Sequence, residues 1–157
     1  MKKSKLFILI TIIAFSFSCK KDSKITDIIN PSASMKCKID GVDWTAQIRE
    51  TILQSNKFII NGTTGSNVIN VTTFGTTTGT YNLSITIPIQ TQFSATFTNS
   101  TSSDSLYTAY EGSVTLSAVD TTNKKISGTF SFKAKNLLHP LLNDKNITAG
   151  TFTELSY

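Results

Sequence analysis

The sequence predicts an all-β domain, an antiparallel meander of about eight to ten short strands arranged as a β-sandwich or a flattened barrel. Three observations favour this class. The 157 residues include 25 threonines and only 16% charged residues, and β-branched threonine suits a pleated, half-exposed strand. From residue 35 onward, apolar and polar residues alternate with period two. Turn-forming residues separate the alternating segments at short intervals.

The first expected hairpin turns at Asp40-Gly41, a dipeptide that favours a tight two-residue connection. Before the turn, Met35–Ile39 alternates apolar and basic residues. After it, Val42, Trp44 and Ala46 are expected on one face of the strand. Trp44 is therefore predicted to be a core residue rather than an exposed platform for stacking sugars.

The middle of the chain contains short expected strands separated by glycine, serine and asparagine turns. Pro88 cannot donate a hydrogen bond to a ladder, so its segment is expected at a sheet edge or at the start of a strand. The expected strands are Ile48–Leu53, Phe58–Thr63, Asn67–Phe74, Tyr81–Ile85, Ile87–Ile89 and Phe93–Phe97.

The clearest hairpin lies near the C-terminus. Two alternating segments, Ser113–Ala118 and Ile126–Lys135, are joined by a turn at Asp120–Asn123. Each segment has one apolar and one polar face, as expected of an antiparallel hairpin that covers a core. In the last expected strand, Ile147–Leu155, the alternation slips by one residue, which predicts a β-bulge near Ala149-Gly150.

Residues 1–18 have the three parts of a signal peptide. Three lysines form a positively charged start, Leu6–Phe15 forms an apolar core, and Ser16 and Ser18 are small residues at positions −3 and −1 of a cleavage site. We therefore expect cleavage after Ser18. The apolar run is shorter than the stretch of about 20 residues that a transmembrane helix needs.

Cys19 follows this site directly and resembles the lipid-modified cysteine of bacterial lipoproteins. The resemblance implies a diacylglycerol on the Cys19 thiol and an acyl group on its new amino group, and two or more chains make such an anchor stable. Ser16 and Phe17 stand where the lipoprotein motif usually has Leu, then Ala or Ser. Ordinary cleavage after Ser18 and an uncleaved apolar anchor are the alternatives.

The expected organisation is a signal peptide over residues 1–18, a lipidated cysteine and flexible linker over residues 19–34, and one all-β domain over residues 35–157. Lys20–Asp22, directly after the cysteine, resembles a weak form of the charged signal that directs some lipoproteins to the cell surface. A solvated tether explains the same residues.

Three segments, Asp40–Ala46, Asp120–Phe132 and Ile147–Phe152, resemble small Bacteroidetes outer-membrane lipoproteins of uncharacterised function. The resemblance implies that the membrane is a partner through the N-terminal lipid. It places the chain in the cell envelope, anchored in the outer membrane on its periplasmic face or at the cell surface. It carries no catalytic or ligand-binding residues over to this chain.

The net charge of +5 does not indicate a nucleic-acid partner. Three of the 15 basic residues lie in the expected signal peptide, which leaves 12 basic and 10 acidic residues and a net charge of +2. Such a surface lacks the concentrated positive charge that binds phosphate backbones.

The sequence pattern assembles no catalytic or metal site, and we expect no cofactor. His139 is the only histidine and has no cysteine or acidic residue at ligand spacing. Asp40 and Asp43 flank the first hairpin without the spacing of a calcium loop, and turn chemistry explains Asp40. Cys37 is expected to be a small core residue rather than a reactive thiol.

Two classes of function are consistent with these observations. The first is a non-enzymatic binding or surface-interaction module whose ligand, a glycan, lipid or protein, the sequence does not identify. The second is an envelope glycan hydrolase that uses dispersed carboxylates such as Glu50, Asp104 and Glu111. Ser105 and Thr121 each follow an aspartate in a pattern that resembles a Bacteroidetes O-glycosylation motif, and they are candidate modification sites.

Overall fold

The computed structural model describes residues 32–83, 95–99 and 105–157, and in these ranges every regular element is a β-strand. No helix within them is long and apolar enough to cross a membrane. Ser18, Cys19 and the expected strand Ile87–Ile89 lie outside the described residues. The strands are β1 (Ser34–Ile39), β2 (Val42–Thr45), β3 (Ile48–Gln54), β4 (Lys57–Thr64), β5 (Asn67–Thr73), β6 (Gly79–Asn82), β7 (Ala95–Thr98), β8 (Leu106–Asp120), β9 (Lys125–Asn136) and β10 (Lys145–Ser156).

The strands form one antiparallel sheet in the order β2-β1-β10-β9-β8-β7-β5-β4-β3. β6 lies off this path and pairs with the middle of β8, further along that strand than β7. Most pairs are hairpins between consecutive strands, as a meander predicts, whereas β1 pairs with β10 and β5 pairs with β7 across intervening chain. The predicted antiparallel all-β class is confirmed.

The sheet curls into a half-barrel because its two terminal strands, β2 and β3, are joined by only two residues. The Ala46 N–H donates to the Met35 carbonyl at 2.9 Å, and the Gln47 N–H donates to the Thr63 carbonyl at 2.9 Å. The connection is therefore hydrogen-bonded to β1 on one side and to β4 on the other. It holds the two ends of the sheet close together.

Close packing at this seam requires a glycine in β4. A Cβ atom at Gly62 would lie 2.6 Å from Met35 Sδ and 2.8 Å from Trp44 Cη2, which is closer than packed atoms approach. Met35 and Trp44 are both buried. Strands from opposite ends of the sheet therefore meet in the space that a side chain at position 62 would fill.

One face of the sheet forms the hydrophobic core. β9 shows this most clearly, since every second residue from Ile126 to Asn136 is buried. Cys37 and Trp44 are also buried, which confirms their predicted core positions. The largest fully buried side chains are Phe58, Phe152, Met35, Ile60, Ile69, Leu83, Leu116, Ile126, Ile147 and Leu155.

Two irregularities keep the apolar residues of β10 on one face. The register shifts between Ile147 and Gly150, where Ala149 has a φ of 50°, and this confirms the predicted bulge. A second shift lies between Phe152 and Leu155. Each extra residue restores the phase of the strand, so Ile147, Gly150, Phe152 and Leu155 are all buried, whereas Ala149 is exposed.

Two residues that the alternation places on an apolar face are exposed instead. Ala118 is exposed because the register of β8 shifts between Leu116 and Ala118, and its predicted core position is wrong. Val42 is 71% exposed because it lies in a terminal strand, next to the hairpin turn, where it pairs only with Ile39. Alternation identifies a face, but bulges and strand ends decide which positions are covered.

Candidate functional site: an exposed leucine loop

The loop between β9 and β10, residues 137–144, concentrates exposed apolar side chains; we refer to it as the leucine loop. Leu141 is 99% exposed and Leu138 is 64% exposed, and Leu137 and Leu142 are each close to half exposed. Ten large apolar side chains are exposed in the described part of the chain, and four of them lie in this loop. Contiguous exposed apolar surface of this kind marks interaction sites.

Hydrogen bonds within the loop fix its backbone. The Asn136 Oδ1 atom accepts from the Leu138 N–H at 3.0 Å and from the His139 N–H at 2.8 Å. The Leu142 N–H donates to the His139 carbonyl at 3.0 Å, and Pro140 has no N–H. Because Asn136 is itself buried, these bonds join the loop to the core and hold the leucines outward.

Aromatic and basic side chains surround the base of the leucine loop. The Tyr110 hydroxyl donates to Asp144 Oδ2 at 2.8 Å, and this hydrogen bond raises the pKa of Tyr110 above its ordinary value. The Lys135 ammonium lies 5.6 Å from the centre of the Tyr110 ring. The Lys145 ammonium lies 5.8 Å from the centre of the Tyr107 ring, within the range of a cation–π contact.

The first hairpin is joined to the same end of the sheet through Asp40. Its carboxylate accepts from Lys145 Nζ at 2.8 Å and from the Asn146 N–H at 2.9 Å. Desolvation by itself raises the pKa of Asp40, but these hydrogen bonds and the Lys145 charge outweigh it and hold the pKa below its ordinary value. The turn aspartate thus ties the first hairpin to the start of β10.

The acidic residues considered for metal binding or hydrolysis contact separate partners. Asp43 pairs with Lys38 at 2.6 Å, Glu111 pairs with Lys133 at 3.2 Å, and Glu50 accepts a 3.4 Å hydrogen bond from Asn61. Asp104 lies outside the described residues. Among the residues that are described, no three His, Cys, Asp or Glu side chains are grouped as metal ligands would be.

The remaining residues singled out from the sequence are not brought together. Cys37 is buried, and burial raises the pKa of its thiol to about 12. His139 lies exposed in the leucine loop, far in sequence from the other candidates. Thr121 is exposed in the turn after β8, and Ser105 is partly exposed just before β8. Their modification stays a prediction.

A shallow groove of about 340 Å³ crosses β8, β9 and β10 on the outer face of the sheet. Hydroxyl groups dominate its polar lining, and no charged side chain contributes to it. The lining residues are Ser113, Thr129, Phe130, Ser131, Ala149, Gly150 and Thr151. Such a surface offers hydrogen bonds, and its lining residues include no base that would activate the serine and threonine hydroxyls as nucleophiles.

The four exposed leucines are the functional candidates that the sequence pattern did not single out. Alternation assigns strands and gives no information about loops, so it leaves residues 137–144 without an assignment. A signal is nevertheless present: leucine pairs flank His139-Pro140, and no charged residue occurs between Lys135 and Asp144. Burial in a strand does not account for four leucines in a segment that contains a proline.

Comparison with known proteins places the domain in a family without assigning an activity. The family model described as a domain of unknown function, DUF6252, matches residues 31–156. No curated protein and no solved structure matches the chain. The matched range includes every strand from β1 to β10 and the leucine loop. The chain therefore belongs to the DUF6252 family of domains of unknown function.

Proposed function

We propose that this chain is a lipid-tethered, non-enzymatic interaction module of the cell envelope, and that the leucine loop is its contact surface. The observation that carries the proposal is the exposure of four leucines on a loop that hydrogen bonds hold in place. A loop of this kind presents apolar surface without first having to become ordered, which lowers the cost of binding.

The amount of exposed apolar surface supports a contact role. Fully burying one leucine is worth about 1.5–3 kcal/mol, and the four exposed fractions together correspond to between two and three leucines. Covering the loop would therefore contribute roughly 4–8 kcal/mol before the costs of association are subtracted. While the loop is exposed to water, this apolar surface does not stabilise the folded domain.

The tether is inferred from the leader. The sequence before β1 contains a lipobox-like cysteine at position 19, and 14 residues separate Cys19 from Ser34. An extended chain of that length reaches about 50 Å, so lipidation at Cys19 would hold the domain near a membrane surface. At that distance even a contact of modest intrinsic affinity becomes populated, because tethering raises the effective concentration.

No observation favours the alternative of a glycan hydrolase. That reaction needs two carboxyl groups in one cleft, about 5–10 Å apart. Glu50 lies in β3 and Glu111 in β8, strands that are not neighbours in the sheet, and Glu111 is paired with Lys133. The outer groove contains no carboxylate. We therefore advance the interaction module alone.

Photo-crosslinking in living cells tests the proposal. A benzophenone amino acid replaces Leu141 in the full chain, and the matched control carries it at Thr122, an exposed turn residue at the end of β8. We expect adducts from position 141 and few from position 122. Equal crosslinking at the two positions, or none at position 141, would contradict the proposal that the leucine loop is the contact surface.

A further inference from the structure

We infer that the leucine loop inserts into the lipid bilayer, so that the domain contacts the membrane at two places, the N-terminal lipid and the tip of this loop. The inference rests on the proposed function, because it assigns the partner of the same contact surface. Four features of the chain favour a bilayer over a protein partner.

The first feature is shape. Leu141, at the tip, is 99% exposed, and the leucines on either side project with it. A protruding apolar tip needs a partner with a complementary pocket if that partner is a folded protein. Fluid acyl chains adapt to a protrusion of any shape, so the bilayer accommodates this loop without a matching surface.

The second feature is the satisfied backbone. An unpaired N–H or C=O group is costly to move into lipid. In the leucine loop, the N–H groups of Leu138, His139 and Leu142 are already hydrogen-bonded, and Pro140 has none. Insertion would therefore not leave these three donors without a hydrogen-bond partner.

The third feature is the distribution of polar groups around the loop. No charged residue lies between Lys135 and Asp144. The base carries these two residues, Lys145, and the half-exposed ring of Tyr110, whose hydroxyl donates to Asp144. Tyrosine and lysine are the side chains that bridge the acyl region and the headgroups, since each combines an apolar body with a polar end. Leucines at the tip and these residues at the base match the layers of a bilayer.

The fourth feature is the reach of the tether. The leucine loop lies at the end of the sheet where β1 finishes, because Ile39 pairs with Ile147 and the Asp40 N–H donates to the Asn146 carbonyl. The tether joins the opposite end of β1, at Ser34. β1 spans about 17 Å, whereas the chain from Cys19 to Ser34 reaches about 50 Å. The tether is therefore long enough for the lipid and the loop to enter one membrane.

Lipid-specific quenching of a probe at the tip tests the inference. The full chain is purified from membranes and placed in phosphatidylcholine–phosphatidylethanolamine vesicles. The Leu141→Cys variant carries an environment-sensitive fluorophore, and Thr122→Cys is the matched control. Cys37 does not take the dye in the folded chain because it is buried and its thiol pKa is raised to about 12.

We expect lipids brominated on their acyl chains to quench the probe at position 141 about threefold or more strongly than the probe at position 122, because interfacial insertion reaches about 5–10 Å. Equal quenching at the two positions, with the chain still bound to vesicles, would overturn the inference. The inference would also be overturned if the emission of the probe at position 141 shifted to shorter wavelength with rising protein density but was not quenched by brominated lipid. A second copy of the chain would then cover the loop.

The same labelled sample distinguishes failure of loop insertion from failure of the lipid anchor at Cys19. If Cys19 takes the dye, it carries no lipid, and the tethered part of the proposed function fails. Strong acyl-chain quenching at position 141 would still support insertion of the loop in that case. Loss of quenching at position 141 would overturn insertion with or without the tether.

Discussion

Individual residues of this sheet obey alternation until a bulge or a strand end intervenes. Cys37 illustrates the part that the sequence predicts: its place between two lysines in an alternating strand indicates a buried side chain, and the structure buries it. Ala118 illustrates the part that it does not. Nothing in the local sequence marks the register shift after Leu116, since the shift arises from the pairing of β8 with β9.

The buried thiol leads to the first prediction. Because burial raises the pKa of Cys37 to about 12, the folded protein at pH 8 holds almost no Cys37 thiolate, which is the reactive form. We expect iodoacetamide to modify Cys37 only after unfolding, as measured by peptide mass spectrometry with and without guanidinium. Rapid modification of the folded chain would contradict the buried position.

Asp40 gives a prediction about pH. Its lowered pKa means that the carboxylate stabilises the fold above the unfolded pKa of about 3.9, and that this stability is lost as the pH falls through the lower folded value. Asp40→Asn keeps a residue that tolerates the φ of 51°. We expect it to cost only about 0.5 kcal/mol at pH 7, because solvent screens the partly exposed Lys145 pair.

Urea unfolding at two pH values checks this. The difference between wild type and Asp40→Asn should be present at pH 7 and should shrink as the pH falls through the lowered folded pKa, because the carboxyl then becomes protonated in both states. A difference that is unchanged at low pH would mean that the substitution acts on the turn rather than on the ion pair.

Gly128 gives a prediction about close packing. A Cβ atom there would lie 2.1 Å from the Thr115 carbonyl oxygen and 2.5 Å from Phe152 Cζ. Relieving both contacts needs a backbone shift, so we expect Gly128→Ala to destabilise the protein by about 2 kcal/mol or more. Ser131→Ala, exposed on the same strand, is the control and should stay within about 0.5 kcal/mol of wild type by denaturant unfolding.

At the scale of elements, the strands were predictable and the important loop was not. Period-two alternation located the first hairpin and the pair β8–β9, and the slip of phase in the last strand located its first bulge. The second bulge of β10, between Phe152 and Leu155, leaves a weaker trace because it lies close to the end of the strand. The leucine loop has no periodicity, so its sequence signal is limited to the leucine pairs and the lack of charge, and its exposure identifies it as a contact surface.

The leucine loop also gives a stability prediction at this scale. Leu141 is exposed and packs against nothing in the fold, so we expect Leu141→Ala to change the free energy of unfolding by less than about 0.5 kcal/mol. The same substitution at Leu116, which is 1% exposed, should cost about 2–5 kcal/mol. A large loss of stability from Leu141→Ala would assign the loop to the core and remove the basis for a contact role.

At the scale of the molecule, the order of the strands could not be derived from local sequence. Consecutive hairpins follow from turn residues, but the pairing of β1 with β10 joins the two ends of the domain, and no short-range signal specifies it. The two-residue connection between β2 and β3 then draws the ends of the sheet together. Contacts of this kind depend on the total shape of the core, which alternation does not describe.

The proposed function requires the domain to be held at a membrane, and the chemical state of Cys19 tests this most directly. The measurement is the mass of the N-terminal peptide of the full chain extracted from membranes, with Cys19→Ala as the control. We predict a peptide that begins at residue 19 and carries the mass of a diacylglycerol and an acyl chain, and a control that lacks this mass. An unmodified Cys19 thiol in the chain extracted from membranes would contradict the tether.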